Sequence, residues 1–577
     1  MTGDPDGGGR ALTAVEGGRL RVRLLAAIFA LAFLSVGIRL VDMVSDATPV
    51  RSAASGDEAA RAARVPARAE IRDRNGILLA TNVQVLSLTA DPSELPDPDA
   101  AAELLAARLA GVEAAELKRR FTVGRRFAWV KRELTPAEQR AVLELGLPGL
   151  DFRISQRRLY PQRRLASHVL GFTGVDNQGL AGIELAMDRR LRETPEPLVT
   201  SLDIRVQEVV RETLLRAYRR FRAIGACAIV LDARSGELLS LVSLPDFDPN
   251  AYERARPAER ENRCTGGVYE LGSLFKVITA AMALESGEVG LHDRFNASEP
   301  IRIGRNRIGD DHAKARWLTV PEIFAFSSNV GTVQMAFAAG GAASQQAFLE
   351  RLGMTRPLEI ELVQRGRPLV PRRWIDIVSA TVSFGHGIAV TPLHFAAAVA
   401  GLSTDGRRVA PTLLRRDGPP KEPRVRLVSE RTVRDLRWLM WLVVEKGTGT
   451  KARLPAYLIG GKTGTADKPG KGRRGYDGEA VIASFVGVFP IEDPRYVVLV
   501  TLDDPEGDEG TFGFRYGGWT AAPVVATIVD RIGPLLGVAP SDPGARQRFF
   551  ARLKIVPAMN GRTGEMEEGL AALDAGW

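Results

Sequence analysis

Near the start of the chain four arginines, Arg10, Arg19, Arg21 and Arg23, precede an apolar run over residues 24–38. A helix that crosses a bilayer needs ~20 residues. The run reaches that length only by continuing over residues 39–44, with Arg39 snorkelling and Asp42 at the outer interface. Basic residues before the run and few after it predict a cytoplasmic N-terminus. Everything beyond residue 44 then folds outside the cytoplasm. A cleaved signal peptide has the same layout, and the Ala-rich stretch around residues 52–63 offers cutting sites. A buried core helix is a third reading, against which the Gly/Asp-rich start argues.

A chain of 577 residues is longer than one hydrophobic core usually organises, so two or more folded parts are expected. At 45% hydrophobic and 25% charged residues it has the composition of a globular protein. The net charge of +9 comes mostly from arginines spread along the chain, which reads as a solvated surface. Attraction to an anionic wall polymer or lipid is the second reading. No basic run is interleaved with aromatics, so no nucleic-acid partner is expected. The two cysteines, Cys227 and Cys264, form no CxxC pair, and five histidines form no HExxH, so no metal site is expected. A buried free thiol is the default for Cys227; a Cys227–Cys264 disulfide needs an oxidising compartment and a geometry that sequence does not supply.

Residues 1–23 read as a cytoplasmic tail, 24–44 as the anchor and 45–66 as an Ala/Arg/Glu-rich linker. From residue 67 to 198 short strands and helices alternate. Strands are predicted at 77–80 and 83–88 after a turn at Asn75-Gly76, and helices at 98–120 and 135–146, the latter opened by Thr135-Pro136. A second region, 199–540, starts with a long amphipathic helix over 203–221. Strands follow at 226–232 and 238–243, then helices, then further strands after residue 455. This order predicts an antiparallel sheet covered by helices, an α+β fold. Residues 541–577 read as a peripheral tail.

Three short patterns carry the chemistry. In Gly272-Ser273-Leu274-Phe275-Lys276, residues three apart share a face of a helix, so Ser273 and Lys276 project together. A serine hydroxyl is a weak nucleophile until a neighbour takes its proton. A desolvated lysine can be that neighbour. Alone, such a pattern is more often a helix cap and a surface lysine. In Ser327-Ser328-Asn329, on a turn between helical segments 319–326 and 331–338, Ser327 can relay a proton and Asn329 can bind a substrate amide. The bland alternative is a capped turn. In Gly461-Lys462-Thr463-Gly464-Thr465, ahead of a strand at 481–489, a cation and two hydroxyls can hold a carboxylate. The small Gly464 would let a substrate backbone approach. A phosphate-binding loop would need Gly at position 456, which is Ala. The order of the three patterns, behind an anchor, makes coincidence a poor account.

At this point the sequence resembles the class B penicillin-binding proteins, the monofunctional peptidoglycan D,D-transpeptidases, and most of all their septal, cell-division type. Residues 127–136 (FAWVKRELTP) and 158–184 (RLYPQRRLASHVLGFTGVDNQGLAGIE) are similar to that type's pedestal, or dimerisation-type, domain. Asp73-Arg74-Asn75-Gly76 and Tyr516-Gly517-Gly518 resemble further family elements; Ala69 stands where the family usually has glycine and Leu271 where it has proline. The resemblance implies a transmembrane helix, a mixed α/β pedestal and a penicillin-binding transpeptidase domain, in a bacterial inner membrane with the catalytic part periplasmic. It implies Ser273 as nucleophile, Lys276 as base, Ser327 and Lys462 as proton carriers, and Asn329 as an orienting amide. Thr463, Gly464 and Thr465 would bind the substrate terminus, and the backbone N–H groups of Ser273 and Thr465 would form the oxyanion hole. Peptidoglycan stem peptides, β-lactams, a membrane glycan polymerase and other division proteins are the implied partners, with no cofactor. An elongation-type relative, an acyl-enzyme hydrolase and a non-catalytic division scaffold or β-lactam sensor are the alternatives.

Overall fold

The computed structural model describes residues 31, 34–35, 68–124, 126–418, 423–469 and 476–554. The chain divides into two units, 1–66 and 67–577. In the first, Leu31, Leu34 and Ser35 are described, and all three are helical. Among the described residues no helix is long and apolar enough to cross a membrane. The expected anchor over 24–44 otherwise lies outside the described residues, as do the expected cytoplasmic tail and nearly all of the linker.

The second unit opens with a five-stranded sheet made of β1 (Ile71–Arg72), β2 (Leu78–Ala90), β3 (Ala128–Leu134), β4 (Leu150–Leu159) and β5 (Leu198–Val199), with β3 and β4 both pairing β2. The two short strands expected at 77–80 and 83–88 are one strand, because β4 pairs β2 without a break from Thr81–Leu159 to Ala90–Leu150. The single helix expected over 98–120 is two, Pro98–Arg108 and Ala114–Val123. Gly111 between them takes φ +75°, a left-handed conformation that glycine adopts cheaply. The third helix, Pro136–Leu143, begins as the sequence predicts: Thr135 and Glu138 form a reciprocal capping box with Pro at the first turn. Leu105, Leu117, Phe121, Val130 and Val142 join Leu88 in a small separate core.

Below that core lies a buried charged cluster. Arg68 and Arg158 both pair with Glu184, whose side chain is 0% exposed. Arg68 also reaches Asp188 at 2.7 Å, and Arg158 donates to Asn82 Oδ1 at 3.2 Å. The Tyr160 hydroxyl donates to Glu184 at 3.4 Å. Every charge in the cluster thus meets its opposite, the condition for burying one.

The larger part is a three-layer sandwich. It begins with α1 (Ile204–Arg220), β6 (Gly225–Asp232) and β7 (Leu238–Leu244). The helices α2 (Lys276–Ser286), α3 (Val320–Phe326), α4 (Asn329–Ala338), α5 (Pro392–Ser403) and α6 (Glu430–Lys446) follow. Then come β8 (Gly460–Pro469), β9 (Tyr476–Phe489), β10 (Tyr496–Asp503) and α7 (Ala522–Leu535). The strands form one antiparallel sheet in the order β8-β9-β10-β6-β7. Alternation along β6 splits the core: Ala228 and Val230 pack with Val210 and Leu214 of α1 and Val525 and Ile528 of α7. Ile229 and Leu231 face the opposite layer, with Val277 of α2, Phe395 of α5 and Leu439 of α6. Both faces of the sheet are covered, which explains a strand buried at seven consecutive positions.

Cys227 does not carry a free thiol: it is disulfide-bonded to Cys264, with Cα atoms 5.4 Å apart. The fold brings the segment before α2 onto β6 at a separation within disulfide range, and the sequence alone holds no trace of that approach. Beyond residue 540, a helix over Pro543–Lys554 packs back, and Trp438 Nε1 donates to the Phe549 carbonyl at 3.3 Å.

Candidate active site

Ser273 does not sit on an α-helix. A 3-10 turn, Gly272–Phe275, leads into α2, whose first residue is Lys276. Three residues per turn eclipse positions i and i+3, so Ser273 and Lys276 share an edge even more directly than on an α-helix. Gly272 has φ +52°, and a Cβ there would collide with the Thr465 carbonyl. Glycine is therefore required twice over at this position: for the turn and for the close passage of β8.

Lys276 is 1% exposed, while Ser273 beside it is partly open to solvent. Lys276 Nζ donates to the Ser327 carbonyl, to Ser327 Oγ at 3.1 Å and to Asn329 Oδ1 at 2.7 Å. Among the described residues it makes no hydrogen bond to Ser273 Oγ. Such contacts are often loose before a ligand arrives. Burial pushes the Lys276 ammonium down to about 7, with the carboxylates of Asp310 and Asp311 pulling the other way. Near pH 7 the amine is then about half neutral, and the neutral form is what a proton acceptor requires.

Ser327 ends α3 with φ +63° and ψ +39°, a left-handed conformation costly for a non-glycine residue. That corner turns the Ser327 hydroxyl toward both lysines. Ser328 caps α4 by accepting from the Gly331 N–H at 3.0 Å, and Asn329 opens that helix. Lys462, on β8, is 0% exposed and donates to Ser327 Oγ at 3.0 Å. Burial holds its ammonium well below the usual lysine range, and the neighbouring Lys276 adds to the effect. Ser327 Oγ thus joins two buried amines, which cannot both stay charged so close together.

Thr463 follows on β8, and its hydroxyl lies 2.7 Å from Thr448 Oγ1. Thr465 accepts from the Gly517 N–H at 3.1 Å. The structure gives Gly464 a neighbour that the sequence does not suggest: a Cβ there would strike the Leu271 carbonyl and the Leu274 side chain. The space its smallness leaves is filled by the turn that carries Ser273. The residues singled out from the sequence, Ser273, Lys276, Ser327, Asn329, Lys462, Thr463, Gly464 and Thr465, come together where β8 passes the turns opening α2 and α4. Among the described residues no cluster of metal-binding side chains occurs.

Two residues at this site have no sequence signal. Asp310 accepts from Ser328 Oγ at 2.7 Å, from the Asn329 N–H, and from the Val330 N–H at 3.0 Å. It fixes the start of α4 from a loop with no periodic relation to it. Thr448 follows α6 and couples to Thr463 from outside the strand.

The family description for the penicillin-binding protein transpeptidase domain matches residues 226–530, and that for the penicillin-binding protein dimerisation domain matches residues 63–200. The chain belongs to the class B penicillin-binding proteins. Among members of this family, the probable peptidoglycan D,D-transpeptidase FtsI of Caulobacter vibrioides is 37% identical, over 90% of this chain and 89% of its own length. The peptidoglycan D,D-transpeptidase FtsI of Escherichia coli is 30% identical, over 89% and 91%. The crystal structure of penicillin-binding protein 3 from Mycobacterium tuberculosis, complexed with aztreonam, superposes with a TM-score of 0.66. It is 23% identical and covers 83% of this chain and 98% of that one, a likeness of fold. The class B penicillin-binding fold accounts for the sandwich and for the smaller sheet that precedes it.

Proposed function

We propose that this class B penicillin-binding protein is a peptidoglycan D,D-transpeptidase of the septal type, working through an acyl-enzyme on Ser273. The observation that carries the reading is Lys276: a buried amine brought down to about 7, three residues from a solvent-open serine and hydrogen-bonded to Ser327 and Asn329. Ser273 Oγ attacks the carbonyl between the two terminal D-alanines of a stem peptide, and Lys276 takes its proton. The N–H groups of Ser273 and Thr465 stabilise the oxyanion. Lys462 and Ser327 pass a proton to the departing D-alanine, while Thr463 and Thr465 hold its carboxylate, Gly464 keeps β8 close to the Ser273 turn and Asn329 orients the donor amide. An amine from a neighbouring stem then attacks the acyl carbon, and the cross-link forms as Ser273 is regenerated. β-Lactams acylate the same serine, and no cofactor takes part.

The names of the relatives support the peptidoglycan substrate and the division role. We assign residues 24–44 to a single membrane anchor with the catalytic part periplasmic, 67–198 to the pedestal and 199–540 to the transpeptidase domain. The membrane polymerase and other division proteins meet the anchor and pedestal.

A reconstituted assay with nascent glycan strands bearing pentapeptide stems tests the reading. The wild-type chain is expected to release D-alanine together with cross-linked stems, and Ser273→Ala neither. Release of D-alanine without cross-links would make it a hydrolase. Depletion in cells separates the two transpeptidase types: filaments indicate a septal role, rounded cells an elongation role.

A further inference from the structure

Asp503 closes β10 at the end of the sheet that contributes β8 to the site, and no step of the chemistry above uses it. Its carboxylate is 5% exposed and has two cationic partners. Lys468 Nζ reaches Oδ1 at 2.6 Å, and Arg263 Nη1 reaches Oδ2 at 3.2 Å. Lys468 lies on β8, at the point where its pairing with β9 jumps: Asp467 opposes Val481 but Lys468 opposes Asp477. Such an irregularity locally disrupts the ladder and bends the strand. Arg263 lies in the segment leading to the Ser273 turn. Its guanidinium crosses the sheet end where Gly225 leaves room, since a Cβ there would strike it. The next residue, Cys264, is bonded to Cys227 of β6. One carboxylate therefore joins β8, which carries Thr465, to the loop that leads from Arg263 to the turn of Ser273.

We propose that Asp503 is a positioning residue for the acyl transfer, setting the separation of the Ser273 and Thr465 N–H groups through its paired contacts with Arg263 and Lys468. This rests on the acyl-enzyme reading and deepens it. A surface ion pair would contribute little, but a buried carboxylate shared by two elements fixes their relative position. Donors that must meet an oxyanion lose effect quickly when displaced.

The test is rapid-mixing kinetics of penicillin acylation, separating the first-order acylation constant from the dissociation constant of the preceding complex. Asp503→Asn is expected to lower the acylation constant about tenfold and leave the dissociation constant within about twofold, as for a displaced rather than absent donor. Asp503→Glu, which keeps the charge, is expected to stay within about threefold of wild type. Arg263→Gln and Lys468→Met, at less buried positions, each give part of the loss. Adding Asp503→Asn to the Arg263→Gln/Lys468→Met double variant then has no further effect. A wild-type acylation constant in Asp503→Asn overturns the proposal. So does an equal loss in Asp503→Glu, or a loss in Asp503→Asn that adds fully to that of the double variant. If Asp503→Asn does not fold, wild-type constants in both Arg263→Gln and Lys468→Met overturn it independently. A wild-type chain that is never acylated at Ser273 overturns the acyl-enzyme reading itself, a distinguishable result.

Discussion

Among the described residues, two clusters of buried cations are built in opposite ways. In the part matched by the dimerisation domain, Arg68 and Arg158 meet Glu184 and Asp188. In the candidate active site, Lys276 and Lys462 meet a serine hydroxyl, an amide oxygen and backbone carbonyls. Arginine stays charged in any protein environment, so burying it demands a carboxylate. Lysine answers burial by losing its proton. The first cluster is therefore a fixture of the fold, and the second is, on the proposed reading, the source of reactivity. Choice of cation and choice of partner, more than burial itself, separate the two.

The comparison can be broken most sharply at Lys276. Lys276→Met is expected to lower penicillin acylation by about a thousandfold, the scale of lost proton transfer. Thermal unfolding should show no loss of stability, because a lysine buried without a carboxylate costs desolvation. Glu184→Gln should do the reverse. It leaves Arg158 buried without its anion and Arg68 with Asp188 alone, and breaking such a pair costs about 3–5 kcal/mol. Denaturant unfolding reads the stability, and the acylation constant of the folded protein should match wild type.

Asp310→Asn falls between these. Losing the carboxylate that fixes α4 is expected to slow acylation about tenfold, the effect of a misplaced group. It also removes a charge that holds the Lys276 ammonium up. The base should then lose its proton more readily, and the midpoint of the rate–pH curve should move below that of wild type. Stopped-flow acylation across pH checks both. The smallest effect is at the surface, where Arg222 pairs with Glu506 at 71% and 55% exposure. Arg222→Ala should change stability by no more than about 0.5 kcal/mol and leave acylation alone.

The residues of the proposed chemistry are more legible in the sequence than the geometry around them. Ser273 and Lys276, Ser327 and Asn329, and Lys462 to Thr465 are each short-range patterns, although the 3-10 turn at Ser273 and the left-handed corner at Ser327 follow no helix or strand period. Thr135 and Glu138 were equally legible, because a capping box is local. What the sequence left open depends on approaches between distant segments. Cys227 and Cys264 meet only once the segment before α2 lies on β6. Asp310 and Thr448 contact the site from loops with no period to read. The use of Gly464 by Leu271 and Leu274 follows from the docking of the Ser273 turn on β8. The break at Gly111 shows apolar periodicity running on through a turn that only the backbone reveals.

The most direct test of the central claim is the rate of penicillin adduct formation followed by mass spectrometry from about pH 5.5 to about pH 9.5, with the adduct mapped to its peptide. The adduct should fall on Ser273. Its rate should rise as pH passes through about 7, where Lys276 becomes a neutral base, and level off above. An adduct on any other residue, or a rate that keeps climbing toward the ordinary lysine range near pH ~10, would contradict the assignment of Lys276 as a base poised by burial.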